Sequence, residues 1–376
     1  MMSFLWPSCW SSGFTTTNRM FGLVHAPVES SGVFRYMSSA FRGRLGSAAS
    51  SRERTLNFFQ NRVVLTSVRW MTPLKAFICI HPLIDTVCQF NSYTCGERLG
   101  EKIDHSLWSA LCLIKNPSVI RQAHEDFYAA GARVAITASY QAHLDGFREL
   151  GVEEPEALAA MKRSVQLARE VAPLGGLVAG SLGAYGASLH NGAEYTGEYP
   201  GMDRAKLLEW HRPRALALRE ARCDLFACET VPCLMEAEAL SQLVAELKHP
   251  AWITFSCKSH TQVSSGEPIA DCVRAVAENP WIVGAGVNCT HPKFVKSLVE
   301  ICRAQLPPEK SVVVYPNSGE VWNGTSHSWE TGTATADSQF VDMAQEWYRS
   351  GASCIGGCCR TTPRTIKALA AGTFTR

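Results

Sequence analysis

The sequence predicts an α/β fold, a (β/α)8 TIM barrel whose first strand is atypical or missing. Three observations carry this. Short apolar stretches rich in β-branched residues alternate with helical stretches from about Asp104 to the C-terminus, the order of a parallel sheet with helical crossovers. The apolar stretches are hydrophobic throughout, as expected of strands covered on both faces. Polar residues, glycines and thiols gather where those stretches stop, and a barrel builds its site at the C-terminal ends of its strands. A doubly wound sheet is the competing architecture, but no convincing glycine-rich nucleotide loop follows an early strand.

Each element has its own justification. A helix is predicted from Asn116-Pro117 to Ala130, opened by a proline and stopped by Gly131. The strand Val134–Thr137 follows. Helices are then predicted over 155–172, 203–221, 233–247, 268–278, 292–305, 338–350 and 362–370. The intervening strands are predicted over 177–182, 225–228, 252–257, 283–288, 312–315 and 354–357. That makes roughly seven strand–helix units against the eight of such a barrel. The first strand is expected before Asp104, where Phe77-Ile78-Cys79-Ile80 is the most strand-like run and Gln89 to Gly96 has no clean pattern.

Residues 76–376 are therefore expected to form the barrel and residues 1–75 an N-terminal extension. The extension contains no Asp, only Glu29 and Glu53 as acids, and arginines scattered among many serines. That composition is transit-peptide-like, although it shows no amphipathic period and equally suits a poorly ordered segment. The formal net charge of +2 offers no general case for nucleic acid or an anionic membrane as partner. No apolar run reaches the roughly 20 residues of a spanning helix. The fifteen cysteines are odd in number and scattered, which points to a reducing compartment rather than a disulfide framework. Cytoplasm is the expected location, with mitochondrion or plastid as the alternative if residues 1–75 are a transit peptide.

The chemistry concentrates in two stretches. Ile282 to Asn288 reads as a buried strand running into Cys289, and Cys354 to Gly357 as one running into Cys358-Cys359. Neighbouring strand residues face opposite ways, so two adjacent thiols serve one centre only if the chain turns sharply. Gly356 and Gly357 are expected to supply that turn through their conformational freedom. Three thiols at two strand ends suit a three-sulfur zinc site with one position open. Buried inert cysteines or a vicinal disulfide are the alternatives.

Gly286-Val287-Asn288-Cys289, Gly356-Gly357-Cys358-Cys359-Arg360, Thr137-Ala138-Ser139-Tyr140-Gln141 and Tyr315-Pro316-Asn317-Ser318-Gly319-Glu320 together resemble the homocysteine S-methyltransferase family. The closest likeness is to the branch that takes its methyl group from S-methylmethionine or S-adenosylmethionine. The resemblance implies a zinc-binding (β/α)8 barrel with Cys289, Cys358 and Cys359 as ligands, and methionine as product. Homocysteine and a sulfonium donor are then the partners. A selenocysteine or other thiol methyltransferase is the alternative within the family, and a zinc-binding barrel without turnover the alternative outside it.

The resemblance also implies that Glu229, at the end of the fourth strand, binds the homocysteine amino group. Its competing role is a helix-terminal acid suited to the dipole. Gly183 and Tyr185 are expected at the same pocket, Thr137 is a further substrate-binding candidate, and Asn288 is expected either at the substrate or behind the ligand Cys289. His124, His143 and His211, and the tryptophans at 108, 210, 252 and 281, are expected to be structural. One departure stands out. The family opens its barrel with an Asp-Gly-Gly motif, whereas this chain has Asp85-Thr86-Val87 and, later, Thr94-Cys95-Gly96-Glu97-Arg98-Leu99.

Overall fold

The computed structural model describes residues 85–89, 107–320, 322–323, 328–329 and 334–374. The predicted extension at 1–75, the run 77–80 and the stretch 94–99 lie outside the described residues.

Seven strands make a curled parallel sheet: β2 (Val134–Ile136), β3 (Leu177–Gly183), β4 (Leu225–Val231), β5 (Ala251–Phe255), β6 (Ile282–Asn288), β7 (Ser311–Tyr315) and β8 (Cys354–Gly357). Each pairs in parallel with its neighbours in chain order. An eighth barrel strand, β1 (Asp85–Gln89), pairs with β8 on one side and β2 on the other, which closes the barrel. The first strand is therefore present, which, of the two expectations, atypical or missing, removes the second. It lies further along the chain than Phe77–Ile80, in a stretch that does not read as apolar. Two flanking strand edges can recruit an extended segment through its backbone groups alone, so the side-chain pattern there carries little signal. The register Asp85↔Cys354 puts Asp85 at the start of the strand, at the opposite end of the barrel from Cys358 and Cys359.

Period two sorts the side chains. On β4, Leu225 and Ala227 join a small cluster inside the barrel with Val134, Ile136, Ala179 and Val313. Phe226 and Cys228 instead join the larger apolar layer between strands and helices. The helices that cover the sheet include Pro117–Ala129, Glu154–Glu170, Arg204–Glu220, Leu234–Leu247, Ile269–Ala277, Pro292–Gln305, Asp337–Arg349 and Pro363–Ala371. Proline at the first turn and Gly131 at φ +102° behind the first of these agree with the sequence signals. The close approach of β6 to β7 depends on Gly286, where a Cβ would stand 1.9 Å from the Val313 carbonyl oxygen.

Two 3-10 turns that the sequence reading did not resolve, Tyr185–Leu189 and Ala193–Tyr195, follow β3. No described helix is long and apolar enough to cross a membrane.

Candidate active site

At the C-terminal end of the barrel, Cys289 follows β6 and Cys358-Cys359 follow β8. Their sulfurs come together, with Cys289 Sγ 3.6 Å and Cys358 Sγ 3.8 Å from Cys359 Sγ, and all three within 4.8 Å of one another. The turn that allows this is not made by left-handed glycines. Neither Gly356 nor Gly357 has a positive φ, whereas Cys289 sits at +48° and Arg360 at +65°. Gly357 matters for space instead, since a Cβ there would meet Thr361 Oγ1 at 2.4 Å. Thr361 donates both its amide and its hydroxyl to the Cys358 carbonyl, folding 358–361 into a turn.

The loop after β7 holds the pair from the other side. The Cys358 amide donates to Pro316 O at 2.8 Å, the Cys359 amide to Asn317 Oδ1 at 3.2 Å, and the Ser318 amide to Cys359 O at 3.0 Å. Arg360 is ion-paired with Glu320. The Pro316-Asn317-Ser318 motif is thus a cradle for the two cysteines. Hydrogen bonding from Cys289 and Cys358 holds the Cys359 thiol well below its ordinary range, while burial pushes Cys358 well above it.

Glu229 is fully buried on the inward face of β4. Its strand continues past the predicted end through a register shift between Cys228 and Val231, where Thr230 adopts φ +60°. A bulge of this kind re-aims a side chain at a strand end. Ser181 Oγ donates to Glu229 Oε1 at 2.5 Å. The Ser181 amide in turn donates to Thr137 Oγ1 at 2.9 Å, and Ser139 Oγ donates to Ser181 O. Thr137 therefore staples β2 to β3 and reaches the site through Ser181.

Asn288 is committed to β4. Its Oδ1 accepts from the Thr230 amide at 2.7 Å and its Nδ2 donates to Thr230 Oγ1 at 2.8 Å. Gly183 serves close packing: a Cβ there would come within 2.3 Å of the Tyr140 carbonyl. The Tyr185 ring packs edge-on against Tyr199 and Trp210, at 5.1 and 5.2 Å, while its amide donates to Glu236. His211 bonds to the same buried carboxylate at 2.9 Å.

Left-handed backbone at Thr230, Cys289 and Arg360 places local strain around one pocket, where surrounding hydrogen bonds must hold it. Three residues there escaped the sequence reading of roles: Tyr140, Glu194 and Tyr195. Tyr195 is 46% exposed, yet its hydroxyl lies 3.0 Å from Cys289 Sγ. The Tyr140 hydroxyl is raised well above its ordinary value by burial, then by the charges of Glu194 and Cys289. No spacing in the sequence links these residues to the cysteines; Tyr195 and Cys289 are 94 residues apart.

A sequence-family profile for homocysteine S-methyltransferase matches residues 94–373. The chain belongs to the homocysteine S-methyltransferase family. It is 40% identical over 317 residues to homocysteine S-methyltransferase YbgG of Bacillus subtilis, covering 80% of this chain and 98% of that one. It is 41% identical over 291 residues to homocysteine S-methyltransferase 1 of Zea mays, covering 73% and 89%. The crystal structure of the homocysteine methyltransferase MmuM from Escherichia coli in its metallated form superposes with a TM-score of 0.69 at 37% identity, covering 80% of this chain and 99% of that one. The profile begins beyond β1, whereas the 80% of this methyltransferase covered by YbgG and by MmuM leaves out only about a fifth of the chain and so extends over β1.

The three sulfurs fit a metal of tetrahedral preference. Zinc–sulfur bonds of about 2.3 Å at tetrahedral angles place sulfurs about 3.8 Å apart, against 3.6 and 3.8 Å here.

Proposed function

We propose that this chain transfers a methyl group from a sulfonium donor, S-methylmethionine or S-adenosylmethionine, to the thiol of homocysteine, giving methionine, with zinc as its metal. The observation that carries the reading is the set of three sulfurs, all within 4.8 Å of one another, at the barrel end where the strand carrying the buried Glu229 also terminates.

Cys289, Cys358 and Cys359 would hold the ion, which when bound supplies a deprotonated, nucleophilic acceptor thiol at neutral pH. Glu229 takes the acceptor's ammonium group, aimed by Ser181 and by the Asn288–Thr230 clamp. The acceptor thiolate's electron pair forms the new sulfur–carbon bond. The old carbon–sulfur bond breaks with its pair left on the donor sulfur, and two neutral thioethers result. Holding the two sulfurs in line supplies much of the acceleration. The buried single thiols elsewhere in the barrel suit a reducing compartment, and cytoplasm is the location we favour.

Metal analysis together with a methionine-formation assay tests the reading. The purified protein should carry about one zinc per chain and make methionine from homocysteine with at least one sulfonium donor. Cys289→Ala, Cys358→Ala and Cys359→Ala should each lose most of the zinc. Full zinc retained in any two of them overturns the ligand assignment, and preference for a selenol acceptor over homocysteine overturns the substrate.

A further inference from the structure

The turn Ala193–Tyr195 is bracketed by left-handed glycines, Gly192 at φ +79° and Gly197 at +73°. It is bolted to the barrel at two points. Ser256, just beyond β5, donates its hydroxyl to the Glu194 carbonyl at 2.9 Å. Gly186, beyond β3, approaches so closely that a Cβ would stand 2.4 Å from the Glu194 amide nitrogen. So fixed, the turn brings Tyr195 Oη to 3.0 Å from Cys289 Sγ, and Glu194 is the residue before it in the same turn.

Glu194 Oε2 is buried and has no hydrogen-bond partner among the described residues. A carboxylate taken out of water without a partner is costly, and such an orphan calls for an explanation. Its neighbours make the cost greater. Burial first, and then the charge of Cys289, raise the Glu194 carboxyl above its ordinary value. A cation arriving from outside would complete this group.

Three cationic groups enter the proposed reaction, the acceptor's ammonium, the donor's own ammonium and the donor's sulfonium, and of the donor's two it is the sulfonium that must come up to the thiols. Glu229 lies on a barrel strand and is fixed for the first. Glu194 lies on the loop over Cys289, the side from which a second substrate must present its methyl group to a sulfur held at the cysteines. We propose that Glu194 binds the sulfonium centre of the methyl donor, an inference that rests on the function proposed above. The charge on that sulfur is full in the bound donor and falls to zero as the carbon–sulfur bond breaks with its pair left on the donor. Glu194 therefore favours the ground state over the transition state, so it serves donor affinity and not the chemical step.

The test compares the full-length, zinc-loaded wild type with Glu194→Gln and Glu194→Asp. Titration calorimetry with trimethylsulfonium, a sulfonium with no amino acid part, reads the site without turnover. In Glu194→Gln its dissociation constant and the donor KM should rise about tenfold, the loss expected for one charge–charge contact out of bulk water. The homocysteine KM and zinc content should stay unchanged, kcat should not fall, and the melting temperature should hold or rise because a desolvated charge has gone. Glu194→Asp should recover part of the binding. Unchanged trimethylsulfonium affinity in Glu194→Gln, or an equal rise in the homocysteine KM, overturns the inference. A wild type that binds trimethylsulfonium through Glu194 but makes no methionine would overturn the proposed reaction alone.

Discussion

Replacing Asn288 by Ala should loosen the strand end that carries Glu229, and the structure gives the size of the effect. Asn288 makes two buried hydrogen bonds to Thr230, one from the amide and one to the hydroxyl. Two such bonds are worth about 1 kcal/mol each, and leaving a buried amide without an acceptor costs about 1–3 kcal/mol. Thr230 is held at φ +60°, where a left-handed backbone costs roughly 1–2 kcal/mol. Relaxation of Thr230 offsets part of the loss, at the expense of the geometry of Glu229. Asn288→Ala should therefore destabilise the protein by about 2–4 kcal/mol and raise the homocysteine KM together with that loss. Thr230→Ala keeps the amide bond and should cost less, about 1 kcal/mol. Urea unfolding of both variants, with the same slope m, reads the stabilities, and steady-state assays read the KM. If Asn288→Ala costs no more than Thr230→Ala, the clamp does not hold the Thr230 amide. If it destabilises while the homocysteine KM stays put, Glu229 is aimed by other means.

Glu229→Ala should raise the homocysteine KM about tenfold or more, from the roughly 1.5–3 kcal/mol of a charge-assisted hydrogen bond, while zinc content is retained. A thiol acceptor lacking the amino group is the control, and an equal response of the two thiols sinks the assignment. Stability should also fall on acidification through two histidines. Burial lowers His124 to about 4, and burial with the nearby Arg214 lowers His143 to about 4. The ordinary value is about 6.5, so the unfolded chain binds more protons between pH 6.5 and 4. Their contribution is full above 6.5 and is lost as pH falls towards 4, at up to about 1.4 kcal/mol per pH unit for each. His143 Nδ1 accepts from the Gly146 amide at the start of a short helix. His143→Asn keeps a capping acceptor and should flatten the unfolding midpoint's dependence on pH at matched metal loading. An unchanged slope refutes the role of His143.

Much of the site was legible in the residues themselves. Alternating apolar and helical stretches determined an α/β fold, because burial on both faces of a parallel strand leaves a local signature. The cysteines after β6 and β8 marked the metal-ligand candidates, and Glu229 stood out by its place at the end of the fourth strand. What stayed hidden depends on closure of the barrel. Asp85–Gln89 is a strand because two edges wait for it, not because its side chains demand one. The sharp turn at Cys358-Cys359 rests on Thr361, Pro316 and Asn317, not on glycine dihedrals. Asn288 is committed to Thr230 and the Tyr185 ring to Tyr199 and Trp210, choices made by neighbours far away in sequence. Periodicity along one chain reports which face a residue occupies. Which hydroxyl or carboxylate meets a given sulfur is set only when eight strands close and loops distant in sequence, such as the one carrying Glu194 and Tyr195, are brought over the same end.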